Sequence, residues 1–193
     1  DREMVADLLG FARVHNNVLA AQNGRGRLEG VVLAAVEQVS LTLARMAQDL
    51  ILYSMPEFGW FTLPKELCTG SSIMPQKRNP DVFELTRGRA GIVAGLATQA
   101  MAVAGSLPGG YHRDLQLVKG PVMEGIETVR AMLAMMTSAV PRLGVDQARC
   151  AASVVGDLLA TDEVYRRVRE GRPFRSAYRE VAAEVRAGVE PPP

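Results

Sequence analysis

The feature that most limits how this chain can fold is a long helical pattern between Leu28 and Ser54. Apolar residues recur there at three- and four-residue steps, as they do along one face of an α-helix. That face holds Val32, Val36, Val39, Leu43, Met46, Leu50 and Tyr53. Most of the other helix faces are also apolar, since they hold Val31, Leu33, Ala35, Leu41 and Ala47. A helix that is apolar on nearly all sides is predicted to lie inside a bundle or an oligomer interface.

The rest of the chain predicts more helices and no sheet. Long helices are expected from Pro80 to about Gly105 and over 115–139, and shorter ones over 146–159, 161–170 and 173–187. The first of these carries small residues that permit close helix approach: Gly88, Gly91, Gly95, Ala97, Ala100 and Ala104. We therefore predict an all-α fold, a long-helix bundle with a small C-terminal helical domain. Residues 1–143 would belong to the central bundle and 144–193 to the small domain.

Composition limits the classes of partner. The net charge of +1 predicts no general attraction to nucleic acid or to an anionic membrane. No stretch holds 18 uncharged apolar residues, because charges interrupt even 28–55, and no signal peptide is recognisable. The two cysteines are too few and too separated for a disulfide framework, so we expect a protein of the reducing cytoplasm. The two histidines lie far apart in the sequence, so we expect no metal site.

The segment 55–79 is predicted to be a long loop, and its end is chemically dense. Residues 70–80 have the sequence GSSIMPQKRNP. Asn79 and Pro80 suit the N-cap and first position of a helix, so a purely structural role is possible. Five polar residues nevertheless gather beside that helix start, and they suit a carboxylate ligand: Ser71, Ser72, Lys77, Arg78 and Asn79. The residues alone leave both interpretations open.

The same loop closely resembles the signature of the fumarase/aspartase superfamily, including Glu84 five residues after Asn79. Three further segments resemble its argininosuccinate lyase branch: LPGGYHRDLQLVK (107–119), ARMAQDLILYSMPEFGWFTL (44–63) and LLATDEVYRRVREGRPFRSAYREV (158–181). The resemblance implies a homotetramer in which each site draws on several chains. It also implies reversible cleavage of argininosuccinate to arginine and fumarate by anti β-elimination, without metal or organic cofactor.

The resemblance implies a role for each matching residue. Catalytic roles fall to Ser71, which abstracts the proton, to Lys77, and to Glu84, which pairs with a histidine of another subunit. Substrate-binding roles fall to Ser72, Asn79, Tyr111, Gln116 and Lys119. Lys77 and Asn79 would hold the substrate carboxylate, while Tyr111, Gln116 and Lys119 would grip the rest of the argininosuccinate.

The chain also departs from the family pattern. Asn23-Gly24-Arg25-Gly26 replaces a usual Ser-Asp-Arg-Asp, Leu117-Val118 replaces Glu-Asp, and Tyr178 replaces a common histidine. The family's N-terminal region, with its Thr-His motif, does not match any part of the sequence. We therefore expect a fragment that is inactive alone. Two alternatives remain: another fumarate-releasing lyase, of the adenylosuccinate lyase or aspartase type, or a non-catalytic structural protein on the same scaffold.

Overall fold

A computed structural model describes residues 1–189, and it confirms the all-α prediction. The α-helices are α1 (Arg2–Leu8), α2 (Val18–Asn23), α3 (Arg27–Tyr53), α4 (Asp81–Gly105), α5 (Lys119–Ala139), α6 (Gln147–Ala152), α7 (Ala160–Arg169) and α8 (Phe174–Arg186). Short 3-10 turns lie at Lys65–Leu67, Arg113–Val118, Val140–Arg142 and Gly156–Leu159. The expectation of no sheet is wrong in one detail, since β1 (Phe61–Thr62) and β2 (Gly144–Val145) form a small antiparallel pair.

The chain divides into two compact units. The first contains Asp1–Leu52 and Leu63–Leu143, and the second contains Tyr53–Thr62 together with the chain from Gly144 onward. The sequence did not predict that Tyr53–Thr62 would join the second unit. The division into domains 1–143 and 144–193 stays a prediction, and residues 190–193 lie outside the described residues.

The start of α4 differs from the prediction. The helix begins at Asp81 with Pro80 at the N-cap, and no side chain caps it. Asn79 is therefore not the N-cap, because its backbone pairs with Thr69 in an isolated antiparallel bridge. The predicted 115–139 helix also starts later, at Lys119, since Arg113–Val118 forms a 3-10 turn.

The core of the first unit joins α3, α4 and α5. Leu33, Ala100, Leu115 and Val118 form one buried cluster. A Cβ added at Gly125 of α5 would lie 2.6 Å from the Leu33 side chain, so this glycine is where α3 and α5 approach closely. The predicted approach at Gly88, Gly91 and Gly95 of α4 does not occur within the described residues, where nothing lies within 4 Å of an added Cβ.

Helix α3 buries only one of its apolar faces within this chain. Leu33, Leu43, Ala47 and Leu50 are buried, whereas Leu28 is 69% exposed and Val31 is 68% exposed. The helical stretch Val18–Tyr53 is long and apolar enough to cross a membrane by length and composition, a test that core helices also pass. The absence of a membrane partner stays a prediction, and the exposed apolar surface of α3 lacks a cover within residues 1–189.

The second unit has an aromatic cluster and a helical hairpin. The Tyr53 and Trp60 rings stack with centroids 4.5 Å apart, and the Trp60 indole donates a 2.8 Å hydrogen bond to Ser153. Helices α7 and α8 pack through Val164, Ala177 and Val181. These contacts explain why Tyr53–Thr62 belongs with the C-terminal helices.

Candidate functional site

The loop that the sequence singled out is closed at its base by a backbone bridge. The Thr69 amide donates to the Asn79 carbonyl at 3.2 Å, and the Asn79 amide donates to the Thr69 carbonyl at 2.9 Å. The Thr69 hydroxyl also donates to the Asp81 carboxylate at the start of α4. Residues 70–78 therefore project from a fixed stem at the N-terminus of a long helix.

Ser71 organises the first half of this loop. Its Oγ accepts hydrogen bonds from the amides of Ile73 at 3.2 Å and Met74 at 3.1 Å. Ser71 is half-buried, whereas Ile73 is 86% exposed. Two N–H donors therefore hold this hydroxyl oxygen in one position.

The remaining loop residues present polar groups to the outside. The Lys77 amide donates to the Met74 carbonyl at 3.1 Å, which turns the chain back towards the stem. Ser72 and Lys77 are exposed, and Asn79 is half-buried. Glu84 is exposed in the first turn of α4, and its carboxylate has no hydrogen-bond or ionic partner within the part of the chain that the structure describes. The loop and helix start thus bring five predicted site residues to one end of α4.

The other three predicted site residues lie at the opposite end of α4. Tyr111 is 60% exposed in the turn after that helix, Gln116 lies in the 3-10 turn, and Lys119 begins α5. A helix of 25 residues spans about 37 Å at a rise of 1.5 Å per residue. The structure therefore does not bring Ser71 together with Tyr111, Gln116 and Lys119 in one chain.

A segment that the sequence analysis did not assign supports the Tyr111 turn. The Asn23 carboxamide oxygen accepts a 2.9 Å hydrogen bond from the Gly110 amide. The Arg25 guanidinium lies over the Tyr111 ring, 5.8 Å from its centroid. The departure from the family pattern at residues 23–26 was the signal available in the sequence. Asn23 and Gly110 lie 87 residues apart, so no spacing pattern reveals that this segment contacts the Tyr111 turn.

The departure at Gly26 has a local steric reason. Gly26 has a φ of +77°, and an added Cβ would lie 2.5 Å from the Ala104 Cβ. A side chain at this position would meet both backbone strain and α4. A larger residue does not fit here without movement of the helix or the turn.

The candidate loop contains one thiol at its stem. Burial raises the pKa of the Cys68 thiol, and the nearby Arg78 cation partly opposes that rise. Among residues 1–189, no group of three or more His, Cys, Asp or Glu side chains is arranged to hold a metal ion. The loop's chemistry therefore rests on its hydroxyls, amides and cations.

The sequence comparisons agree with the resemblance. A model of the protein family described as Lyase matches residues 1–95. The chain is 47% identical over 182 residues to an argininosuccinate lyase of Thermotoga neapolitana, covering 94% of this chain and 46% of that protein. It is 46% identical to an argininosuccinate lyase of Sorangium cellulosum, covering 97% of this chain and 43% of that protein. The chain thus spans less than half the length of these relatives.

Comparison with solved structures supports the fold. A fumarate lyase:delta crystallin from Brucella melitensis aligns with a TM-score of 0.70 at 21% identity, over 96% of this chain and 40% of that one. A 3-carboxy-cis,cis-muconate lactonizing enzyme from Pseudomonas putida aligns with a TM-score of 0.71 at 21% identity, over 97% of this chain and 42% of that one. At this identity the likeness establishes the helical architecture.

Proposed function

We propose that this chain, which belongs to the lyase family of the fumarase/aspartase superfamily, forms part of an enzyme that cleaves argininosuccinate to arginine and fumarate. The observation that carries the proposal is the position of Ser71, whose Oγ accepts from two amides on a loop that also bears Lys77 and Asn79. Relatives named argininosuccinate lyase, up to 47% identical along almost the whole chain, support this choice of substrate.

The proposed reaction begins with removal of a proton from the carbon beside a carboxylate. Ser71 is the base, and the Ile73 and Met74 amides hold its Oγ in position. Negative charge then grows on the substrate carboxylate in the transition state. Lys77 and Asn79 are the donors for that charge, since fixed donors lower a barrier most where charge develops. The C–N bond then breaks: the electron pair on the deprotonated carbon forms the double bond of fumarate, and the departing guanidinium nitrogen keeps the bonding pair and takes a proton from a separate acid. Ser72 contributes a further hydroxyl, and Glu84 orients a histidine from another subunit.

The arginine part of the substrate is assigned to the second segment. Lys119 offers a cation for a carboxylate, Gln116 a carboxamide, and Tyr111 a ring and a hydroxyl, and all three are exposed. Such groups suit a ligand that carries carboxylates and a guanidinium. The Asn23 and Arg25 contacts hold the Tyr111 turn in place from behind.

The two groups of residues come from different copies of the chain in this proposal. The length of α4, about 37 Å, exceeds the reach of one small substrate, so Ser71 and Lys119 of one chain cannot grip the same molecule. A homotetramer would bring opposite ends of α4 helices together. The exposed apolar faces of α3 and the open Gly88, Gly91 and Gly95 face of α4 support such an assembly, because both need a cover.

We also propose a cytoplasmic location and a reaction without metal or organic cofactor. The free thiols Cys68 and Cys150 suit a reducing compartment. The net charge of +1 gives no support to a nucleic-acid or membrane partner.

The test is fumarate release from argininosuccinate by the whole protein that carries this chain. Ser71→Ala should lower kcat by roughly 10²–10⁴-fold, the usual contribution of a general base, with an unchanged Tm. Ser72→Ala is the matched control and should lose much less. If both variants keep the wild-type rate, Ser71 is not the base. Turnover of adenylosuccinate or aspartate instead would correct the substrate, and no turnover of any of them would favour the non-catalytic alternative.

A further inference from the structure

A polar cavity lies behind the Tyr111 turn, within the first unit. Its volume is about 270 Å³, and residues 22–27 form one wall while residues 104–115 form the other. The Asn23 side chain joins the walls through its hydrogen bond from the Gly110 amide. None of the residues assigned above to argininosuccinate lines this cavity.

Two buried polar atoms on residues that line this cavity lack a hydrogen bond. Gln22 Oε1 and His112 Nε2 are both inaccessible to solvent, and neither has a partner among residues 1–189. Both residues line the cavity. A buried polar atom without a partner costs free energy, so native proteins retain such atoms mainly where something else satisfies them.

The charged side chains around the cavity are both cationic. Arg25 and Arg27 line it, no acidic residue does, and neither guanidinium is paired with a carboxylate in the described chain. The Arg25 guanidinium is already positioned by the Tyr111 ring. Rotating the Gln22 carboxamide by half a turn places its NH2 donors where Oε1 now lies. Side-chain rotations that also open the His112 imidazole to the cavity let it offer two guanidinium groups, an amide and an imidazole N–H to one ligand.

We infer that this cavity is a binding site for a small oxyanion, a carboxylate or a phosphate. Guanidinium groups bind these anions through paired, charge-assisted hydrogen bonds, and the buried imidazole and carboxamide complete the set of donors. The competing explanation is a buried water that bridges Gln22 and His112. A water would satisfy these two atoms but would not require either arginine.

Histidine NMR separates the two explanations, because the chain has an internal reference. His112 is at the cavity and His15 is exposed elsewhere, and the sequence has two histidines. In the whole protein that carries this chain, labelled with 15N at histidine, inorganic phosphate or succinate is titrated at constant ionic strength. We expect a saturable shift of the His112 signal, assigned with His112→Gln, while the His15 signal, assigned with His15→Gln, stays in place. Response to phosphate alone, to succinate alone or to both identifies the class of oxyanion.

Substitutions provide the second measurement. Arg27→Met should weaken anion binding about tenfold, the effect of losing one hydrogen bond to a charged group. Arg113→Met is the matched control, since Arg113 is exposed beside His112 but does not line the cavity. Gln22→Met should weaken binding similarly yet leave Tm equal or higher, because it removes an unsatisfied buried oxygen.

Four results would overturn the inference. They are no saturable shift of His112, an equal shift with chloride at the same ionic strength, equal movement of His15, and equal affinities of Arg27→Met and Arg113→Met. Each of these would leave a bridging water as the explanation. The measurement does not depend on lyase activity, so its outcome is independent of the proposed function.

Discussion

At the scale of single residues, Thr69 connects the loop to the helix that follows it. Its backbone pairs with Asn79, and its hydroxyl donates to Asp81. The loop base is therefore fixed by two kinds of bond, while Ser72 and Lys77 remain exposed. We expect this stem to set where Ser71 and Lys77 lie relative to each other.

Replacement of the Thr69 hydroxyl tests the stem. Thr69→Val keeps the shape of the side chain but removes the hydrogen bond to Asp81, so we predict a several-fold loss of kcat. The Tm should change little, because the loop is exposed. Thr69→Ser restores the hydroxyl and should restore kcat. Equal rates in the valine and serine variants would show that the hydroxyl does not position the loop.

The sequence predicted which residues gather in this loop, but it did not predict the contacts that these residues make. The crowding of Ser71, Lys77 and Asn79 was visible in the sequence, and these residues do share one loop. The capping role expected for Asn79 is wrong, because local propensity does not register the bridge to Thr69. The unpaired atoms of Gln22 and His112 were equally invisible, since they depend on a tertiary contact.

At the scale of helices, glycine positions determine where α3 and α5 approach. Gly125→Ala places a methyl group 2.6 Å from a Leu33 methyl carbon, so we predict a loss of about 1–3 kcal/mol in the free energy of unfolding. Gly120→Ala on the same helix is the control. Nothing lies within 4 Å of its added Cβ, so it should cost less than Gly125→Ala, and because Gly120 directly precedes Pro121 we expect no gain from helix propensity. Denaturant unfolding measures both; equal values would contradict this account of the packing.

The α7–α8 hairpin depends on one buried carboxylate. Glu163 is 4% exposed and accepts 2.7 Å hydrogen bonds from both Arg166 and Arg167. Arg167 also reaches Glu184 at 2.6 Å. Hydrogen bonds from Arg166, then from Arg167, lower the pKa of Glu163 from 4.5 to about 2, although burial opposes this shift.

The depressed pKa predicts an acid transition in this hairpin. The stabilisation from Glu163 is complete above its unfolded pKa of 4.5 and is lost as the pH falls towards about 2. Glu163→Gln should therefore lower stability at pH 7 and flatten the dependence of stability on pH over that interval. Urea unfolding between pH 7 and pH 2 measures the effect, with the exposed Glu127→Gln as control. A wild-type slope in Glu163→Gln would refute the assignment.

Helical periodicity predicted the long elements well because it depends on residues close in sequence. α3 and α4 lie within one or two residues of their predicted ranges. Tyr53 and Ser54 were predicted at the end of the helix and residues 55–62 as loop, and the association of Tyr53–Thr62 with the C-terminal helices depends on Trp60 and Ser153, which lie 93 residues apart. Contacts of that separation leave no periodic signal in a single sequence.

At the scale of the whole molecule, the site residues fall into two groups separated by the length of α4. The Ser71 loop lies at one end and the Lys119 segment at the other. Most residues of both groups are exposed within residues 1–189, and so are apolar residues of α3. Under the proposed function, each catalytic site would therefore combine segments from different copies of the chain.

Complementation between two inactive variants tests that requirement most directly. Ser71→Ala and Lys119→Met are prepared in the whole protein, then assayed separately and after joint refolding for fumarate release from argininosuccinate. If a site takes its Ser71 loop and its Lys119 segment from different copies, random mixing makes both segments wild type in roughly a quarter of the sites. We predict negligible turnover for each variant alone and recovery towards roughly a quarter of the wild-type rate after mixing. No recovery, although the mixed variants assemble, would contradict the shared site.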